Sequence, residues 1–294
     1  MRRRLRNTGL RLAIGRFVTH IQSPLQGVAE GVSLMYGGFP LIDRGGFADF
    51  HVQVAPPSGL RRWLRAQVLF SHDGYVPFKP LPVAHCYALL EWGLNWCISN
   101  YCHQYLLVHA GVIEKEGKAV ILPAPPGSGK STLCAALVNR GWRLLSDELA
   151  LISLEDGRLI PIARPVNLKN ESIEIIRAFE PTAVLGAPTH DTSKGTVAHM
   201  RPPTDSVARV HETAKAAWVI LPRYQAGANV ALVPWQKGEA FIHLADSAFN
   251  FSVLGVRAFN VLADLIETSD CYRFTYSRLE EAVEVFSSLN PVGS

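Results

Sequence analysis

The stretch Val120-Ile-Leu-Pro-Ala-Pro-Pro-Gly-Ser-Gly-Lys-Ser-Thr132 constrains this chain more than any other. A short apolar run over 119–122 predicts a buried strand. A turn rich in proline and glycine follows, then Lys130, Ser131 and Thr132, then an apolar-periodic segment from Leu133 to Val138. Strand, glycine-rich loop and helix, in that order, make a phosphate-binding loop. Backbone N–H groups of the loop and of the first helical turn point at an anion, and the helix dipole favours it. Glycines at 127 and 129 let the chain approach a phosphate with no Cβ in the way. The predicted nucleotide-binding set is Pro126, Gly127, Ser128, Gly129, Lys130, Ser131 and Thr132. Lys130 neutralises the terminal phosphates in this reading, and the Ser131 hydroxyl holds Mg²⁺. Ala124 stands where the G-x-x-x-x-G-K-[ST] pattern has its first glycine, and alanine there needs an ordinary negative φ.

Composition narrows the class. The chain has 294 residues, 48% hydrophobic and 18% charged, with a formal charge of +4. That balance is globular and rich in core, and it calls for no nucleic-acid partner. Part of the charge lies in Met1-Arg-Arg-Arg-Leu-Arg6, which reads as a frayed basic terminus. Arg11, Arg16 and His20 interrupt the following segment, so no signal-peptide apolar core is present there. The most apolar helix, predicted over 83–98, carries His85, Glu91 and Asn95 and is a core helix rather than a membrane span. Five cysteines (Cys86, Cys97, Cys102, Cys134, Cys271) with no C-x-x-C pair predict reduced, buried thiols and a cytoplasmic location. Cys97, Cys102 and His103 lack the spacing of a zinc site.

Residues 1–82 predict a small α+β module with a mostly antiparallel sheet. Period-2 patterning appears over 16–21, 49–55 and 66–70, with a short helix over 25–36. Residues 83–294 form the second unit. There a strand over 105–113 contains one polar side chain, His109, by itself most simply a satisfied core histidine. It pairs through a hairpin with the strand that enters the phosphate loop. Trp142–Leu145 is the next strand and runs into Ser146-Asp147-Glu148. Two carboxylates wedged between buried strands beside a phosphate loop stand where metal and nucleophile are handled in such enzymes. A polar segment with Asn167, Lys169, Asn170 and Glu171 then opens a helix capped by Asn170 or Ser172. Residues 190–203 lack helical period and predict a long polar binding loop or lid.

The order of His109 strand, phosphate loop, Gly-Trp-Arg-Leu-Leu-Ser-Asp-Glu and polar helix cap resembles the catalytic domain of HPr kinase/phosphorylase. The chain resembles more closely the group called HPr kinase-related kinase A, through Glu91-Trp-Gly-Leu-Asn-Trp-Cys97, Leu133-Cys-Ala-Ala-Leu137, Ser146-Asp-Glu-Leu-Ala150, Leu168-Lys-Asn-Glu-Ser172 and Lys194-Gly-Thr-Val-Ala-His199. The resemblance covers most of the chain. It implies an α/β fold with a P-loop kinase core of the HPr kinase, PEP carboxykinase-like type, following the small N-terminal α+β module. It further implies ATP and Mg²⁺ as cofactors. His109 matches the histidine before the loop, and Asp147 and Glu148 match two consecutive aspartates. Glu171 matches a metal-holding glutamate, so Ser131, Asp147 and Glu171 form the implied metal set. Arg201 matches an arginine that reaches the phosphates. Glutamate at 148 departs from the family's aspartate and leaves open which acid is the base. The N-terminal region is unlike that of HPr kinase, so contacts to HPr do not carry over.

The function implied is an ATP-dependent kinase acting on a hydroxyl acceptor. Asp147 or Glu148, tuned by His109, is the base; Lys130 and Arg201 act on the transferred group. Lys194 closes over it, with Lys169, Asn170 and His199 on the acceptor or lid side. The acceptor is a serine of a protein or peptide, or alternatively a small hydroxy acid such as glycerate; Arg61, Arg62 and Arg65 suit an acidic one. A third reading is a switch that binds ATP and phosphorylates nothing. The resemblance also allows a homo-oligomer.

Overall fold

Alternating side chains in the first eighty residues build a sheet with one buried face. The computed structural model describes residues 1–43, 45–58, 66–125 and 127–289. Helix α1 (Arg2–Asn7) leads to β1 (Leu10–Ile14), β2 (Phe17–Gln22), α2 (Gln26–Met35), β3 (Leu41–Ile42), β4 (Phe50–Ala55), β5 (Gln67–His72) and β6 (Leu81–Pro82). The sheet order is β3-β1-β2-β4-β5-β6, antiparallel except between β2 and β4. Burial alternates along β2 and β4, as the period-2 pattern requires.

The basic terminus is not frayed. Leu5 of α1 is fully buried, and its carbonyl accepts the Ser23 N–H at 3.0 Å. One leucine facing the core holds the helix while Arg2, Arg3 and Arg6 are exposed, which the charge pattern alone concealed. The arginines at 61, 62 and 65, and Pro126 of the phosphate loop, lie outside the described residues.

A 3₁₀ turn (Val83–His85) opens α3 (Cys86–Tyr101), as the apolar run predicts. Its Leu89, Leu90, Leu94, Cys97 and Ile98 share one core with Val28 of α2 and with Val54 and Phe70 of the N-terminal sheet. The hydrophobic core therefore crosses chain position 82.

Strands β7 (Tyr105–Val108), β8 (Ala110–Lys115) and β9 (Lys118–Pro123) precede α4 (Lys130–Val138). They are followed by β10 (Arg143–Ser146), β11 (Ala150–Ser153), β12 (Leu159–Ile160), β13 (Val166–Lys169), α5 (Glu171–Phe179), β14 (Thr189–Thr192) and β15 (Gly195–Met200). The chain closes with α6 (Thr204–Ala208), β16 (Lys215–Tyr224), β17 (Ala231–Pro234), α7 (Lys237–Asp246), α8 (Phe251–Leu254), α9 (Val256–Thr268), β18 (Asp270–Tyr276) and α10 (Leu279–Ser287). The protein is mixed α/β. A second six-stranded sheet runs β10-β8-β9-β16-β18-β17, with β9, β16 and β18 parallel, beside two small sheets, β12-β11-β7 and β13-β15-β14. Residues 190–203, expected as an irregular loop, contain most of the β14–β15 hairpin. The edge strand β14 is polar throughout, so composition resembled a loop although the backbone is paired.

Two connections position the chemistry. The chain changes sheets between β7 and β8, and again between β10 and β11. The first change falls at His109 and the second at Asp147–Glu148. All five cysteines are buried and free. Among the described residues no helix is long and apolar enough to cross a membrane.

Truncating Leu5 to alanine should lower the unfolding free energy in urea by about 2–5 kcal/mol, the range for a buried leucine. A frayed terminus would lose almost nothing.

Candidate functional site

The turn after β9 closes tightly because two glycines take left-handed backbone. Gly127 and Gly129 both have φ of 87°, which side-chain-bearing residues rarely adopt. A Cβ on Gly129 would overlap Tyr276 Oη and stand 2.8 Å from Tyr224 Cβ. The same side anchors the loop: Tyr276 Oη donates to Gly129 O at 3.0 Å, and the Tyr224 N–H donates to Ser128 O at 2.8 Å. Ala124 is buried and has no positive φ, as alanine at that place requires. Lys130 opens α4, is buried, and donates its Nζ to the Asp147 carbonyl at 2.9 Å.

That contact brings the glycine-bent loop to the acid pair. Asp147 is buried; its Oδ2 accepts the Asn167 N–H at 3.1 Å and its Oδ1 has no hydrogen-bond partner. Burial pushes the Asp147 carboxyl above its ordinary pKa, against the pull of Lys130 and, more weakly, of the Ser131 hydroxyl. Glu148 accepts Asn167 Nδ2 at 3.1 Å on Oε1 and Asn95 Nδ2 on Oε2. Burial would raise its pKa, but Lys194, Lys130 and the Asn167 bond outweigh it and hold Glu148 below the ordinary value.

His109 interrupts its strand. Its N–H donates to Ser247 O at 2.8 Å, and its ring lies edge-on to Phe249 with centroids 6.2 Å apart. Burial, helped by the Lys130 charge, holds its pKa down to about 4, so the imidazole is neutral at pH 7. The Glu148 carboxylate and backbone act on it in the opposite sense and do not outweigh burial. His109, Glu148, the described loop residues from Gly127 to Thr132, Asn167, Lys169, Asn170 and Lys194 line one cleft of about 700 Å³. That size suits a small-molecule site. The Lys194 ammonium sits 5.5 Å from the Trp92 ring centre.

Three expected residues are not brought to this cleft. Glu171 is exposed at the start of α5, because Asn170, at φ 51°, turns the chain and fixes its Oδ1 on the Thr196 N–H at 3.0 Å. Arg201 is exposed beyond β15, its N–H donating to Val184 O at 2.9 Å. His199 is buried behind the cleft, edge-on to Tyr87 with centroids 5.3 Å apart and with its Nε2 unpartnered.

A supporting network lies behind the acids, and motif reading missed it. Arg164, buried, donates Nη2 to Glu91 Oε2 at 2.7 Å and to Glu91 O at 2.8 Å, and Nη1 to Asn95 Oδ1. Tyr36 and Tyr87 hydroxyls donate to Glu91 Oε1 at 2.9 and 2.7 Å. The relay from Tyr36 through Glu91, Arg164 and Asn95 ends on Glu148. Three polar residues on one apolar helix stretch, His85, Glu91 and Asn95, were the available signal.

Among the described residues no group of three His, Cys, Asp or Glu side chains is placed to hold a metal. Mg²⁺ needs no such group, since it is bound by one or two carboxylates together with hydroxyl, water and phosphate oxygens. Asp147, with Oδ1 unpartnered and its carboxyl within the influence of the Ser131 hydroxyl, fits that donor set.

Comparison with known proteins adds little to this geometry. Residues 96–159, which contain His109, the loop and both acids, match the family model described as SynChlorMet cassette protein ScmC. That is 64 of 294 residues, too small a share to assign the chain to a family. No curated protein matches. Among solved structures, the HPr(Ser) kinase/phosphatase from Coxiella burnetii is similar at 11% identity over 62% of this chain and 91% of that one. Its TM-score is 0.26, so the likeness carries no argument.

Replacing Arg164 with alanine should cost about 3–5 kcal/mol in urea unfolding, because Glu91 is left charged and buried. A second outcome concerns pH. The folded protein holds the His109 pKa at about 4 against an ordinary 6.5, so the unfolded chain binds the extra proton between them. Stability should fall as pH drops from about 6.5 towards about 4, and His109→Gln should flatten that slope in urea titrations at pH 7 and pH 5.

Proposed function

We propose that this protein is an ATP- and Mg²⁺-dependent phosphotransferase of HPr kinase-like type that acts on a hydroxyl acceptor. One observation carries the reading: Lys130 Nζ reaches the Asp147 carbonyl at 2.9 Å, joining a glycine-bent phosphate loop to two carboxylates in different electrostatic settings.

Backbone N–H groups at the start of α4, with Lys130, hold the phosphates. Ser131 and Asp147 hold Mg²⁺, which when bound supplies neutralising charge between the phosphates. Asp147 is the better metal ligand of the pair, since a cation relieves the burial that raises its pKa. Glu148 faces the cleft, ionised, and accepts the proton of the acceptor hydroxyl. Neutral His109 lines the cleft with Glu148 and adds no charge beside the base. Lys169 and Lys194 line the same cleft and favour an acceptor that carries an anionic group. A small hydroxy acid satisfies this, as does a serine flanked by acidic residues. Glu171, Arg201 and His199 take no direct part.

Incubation with γ-labelled ATP and cell extract, split into protein and small-molecule fractions, tests the reading. Label should appear in one fraction and vanish with EDTA or with Lys130→Ala. Glu148→Gln should lower the transfer rate by about 10²–10⁴ while Mg²⁺-ATP still binds. Asp147→Asn should instead weaken Mg²⁺-dependent ATP binding. Tight ATP binding with label in neither fraction would mean a switch and not a kinase.

A further inference from the structure

A second cavity, of about 490 Å³, adjoins the phosphate loop and takes no part in the chemistry above. Gly129 and Thr132 line both it and the cleft, so one molecule can lie across the loop from one to the other. Its other walls are largely apolar or aromatic: Ile175 and Phe179 of α5, Tyr224 and Tyr276, and Leu279 of α10. Ile175 is 40% exposed and Tyr224 47%, large side chains left open on a concave wall. The two tyrosine rings stand 5.8 Å apart at 69°, forming a corner rather than a filled stack.

The sheet explains why the cavity lies there. Strands β9, β16 and β18 are parallel neighbours, with Tyr224 opposite Tyr276 in register. The phosphate loop and both tyrosines therefore stand at the carboxyl ends of adjacent parallel strands, the edge at which open α/β sheets take ligands. Phosphate-binding N–H groups sit at one end of this edge, and an apolar, aromatic recess sits beside them. Ligand sites of this kind are mostly apolar with a few polar groups at the rim, and here Arg278 and Glu280 are the rim.

We infer that this cavity takes the base and sugar of the nucleoside triphosphate whose phosphates lie on the loop. The inference rests on the kinase reading. The base packs flat against the Tyr224–Ile175 wall, and the sugar lies over Gly129 and Thr132. Gly129 then has two reasons to lack a side chain: a Cβ there would strike Tyr276 and would narrow the passage between the two cavities.

Calorimetric titration with ATP and with inorganic tripolyphosphate, both with Mg²⁺, tests this. Ala178 lines the cavity from the exposed side of α5, so Ala178→Trp fills it without touching the core, and Ile175→Asp charges the same wall. Both variants should bind tripolyphosphate as the wild type does and lose ATP affinity by about tenfold to a hundredfold, the range for a lost base stack. ATP bound equally well by both variants overturns the cavity assignment and leaves the kinase reading standing. Equal loss of tripolyphosphate and ATP also overturns it, because the damage would then be to the loop. A wild-type chain that binds neither ligand overturns the kinase reading and the cavity assignment together.

Discussion

Glu91 carries a carboxylate into the interior, and the rest of the site depends on how that charge is held. It is 2% exposed, so no shell of water offsets its burial. Arg164 neutralises it, and two tyrosine hydroxyls complete its hydrogen bonding. These partners come from three separate parts of the chain: the end of α2, helix α3 itself, and the segment before β13. Because a buried ion pair tolerates little displacement, each part is fixed relative to the others. Asn95 and then Glu148 are held by the same arrangement. Tyr36, after α2, thus braces the arrangement that holds Glu148 without lining the cleft.

The acids owe their place to a break in sheet continuity. Strand pairs β7–β11 and β8–β10 belong to different sheets, so two backbone segments must cross between them. Crossings leave backbone groups outside the ladders and turn side chains out of the sheet plane. His109 occupies one crossing and Asp147–Glu148 the other. A regular strand through either point would have alternated these residues between the faces of a single sheet and separated them from the loop.

The two adjacent carboxylates have pKa values displaced in opposite directions by their different settings. Asp147 lies deeper, and burial dominates its setting, with Lys130 opposing. Glu148 is open to the cleft, and its cationic neighbours prevail over its burial. The loop on the other side is shaped by Tyr224 and Tyr276, which anchor it and wall the neighbouring cavity.

Local pattern alone determined the glycine-bent loop between β9 and α4, its flanking strand and helix, the acid pair after the next strand, and the half-buried strands of the N-terminal module. Each is written in consecutive residues with a period or a steric requirement: glycine where φ is positive, alternation where one face is buried. Helix α1 was hidden because a single leucine within a run of arginines has no period to read. The β14–β15 hairpin was hidden because its polar side chains match loop composition. Only tertiary structure decided which polar residues meet. Asn95 and Asn167 reach the acids, and Arg164 reaches Asn95, from distant positions through strand register and helix packing. Glu171 and Arg201, placed by resemblance, turn outward because local backbone at Asn170 and beyond β15 directs them to solvent. Side-chain direction follows backbone geometry that residue order does not record, which is why the motif was legible and its partners were not.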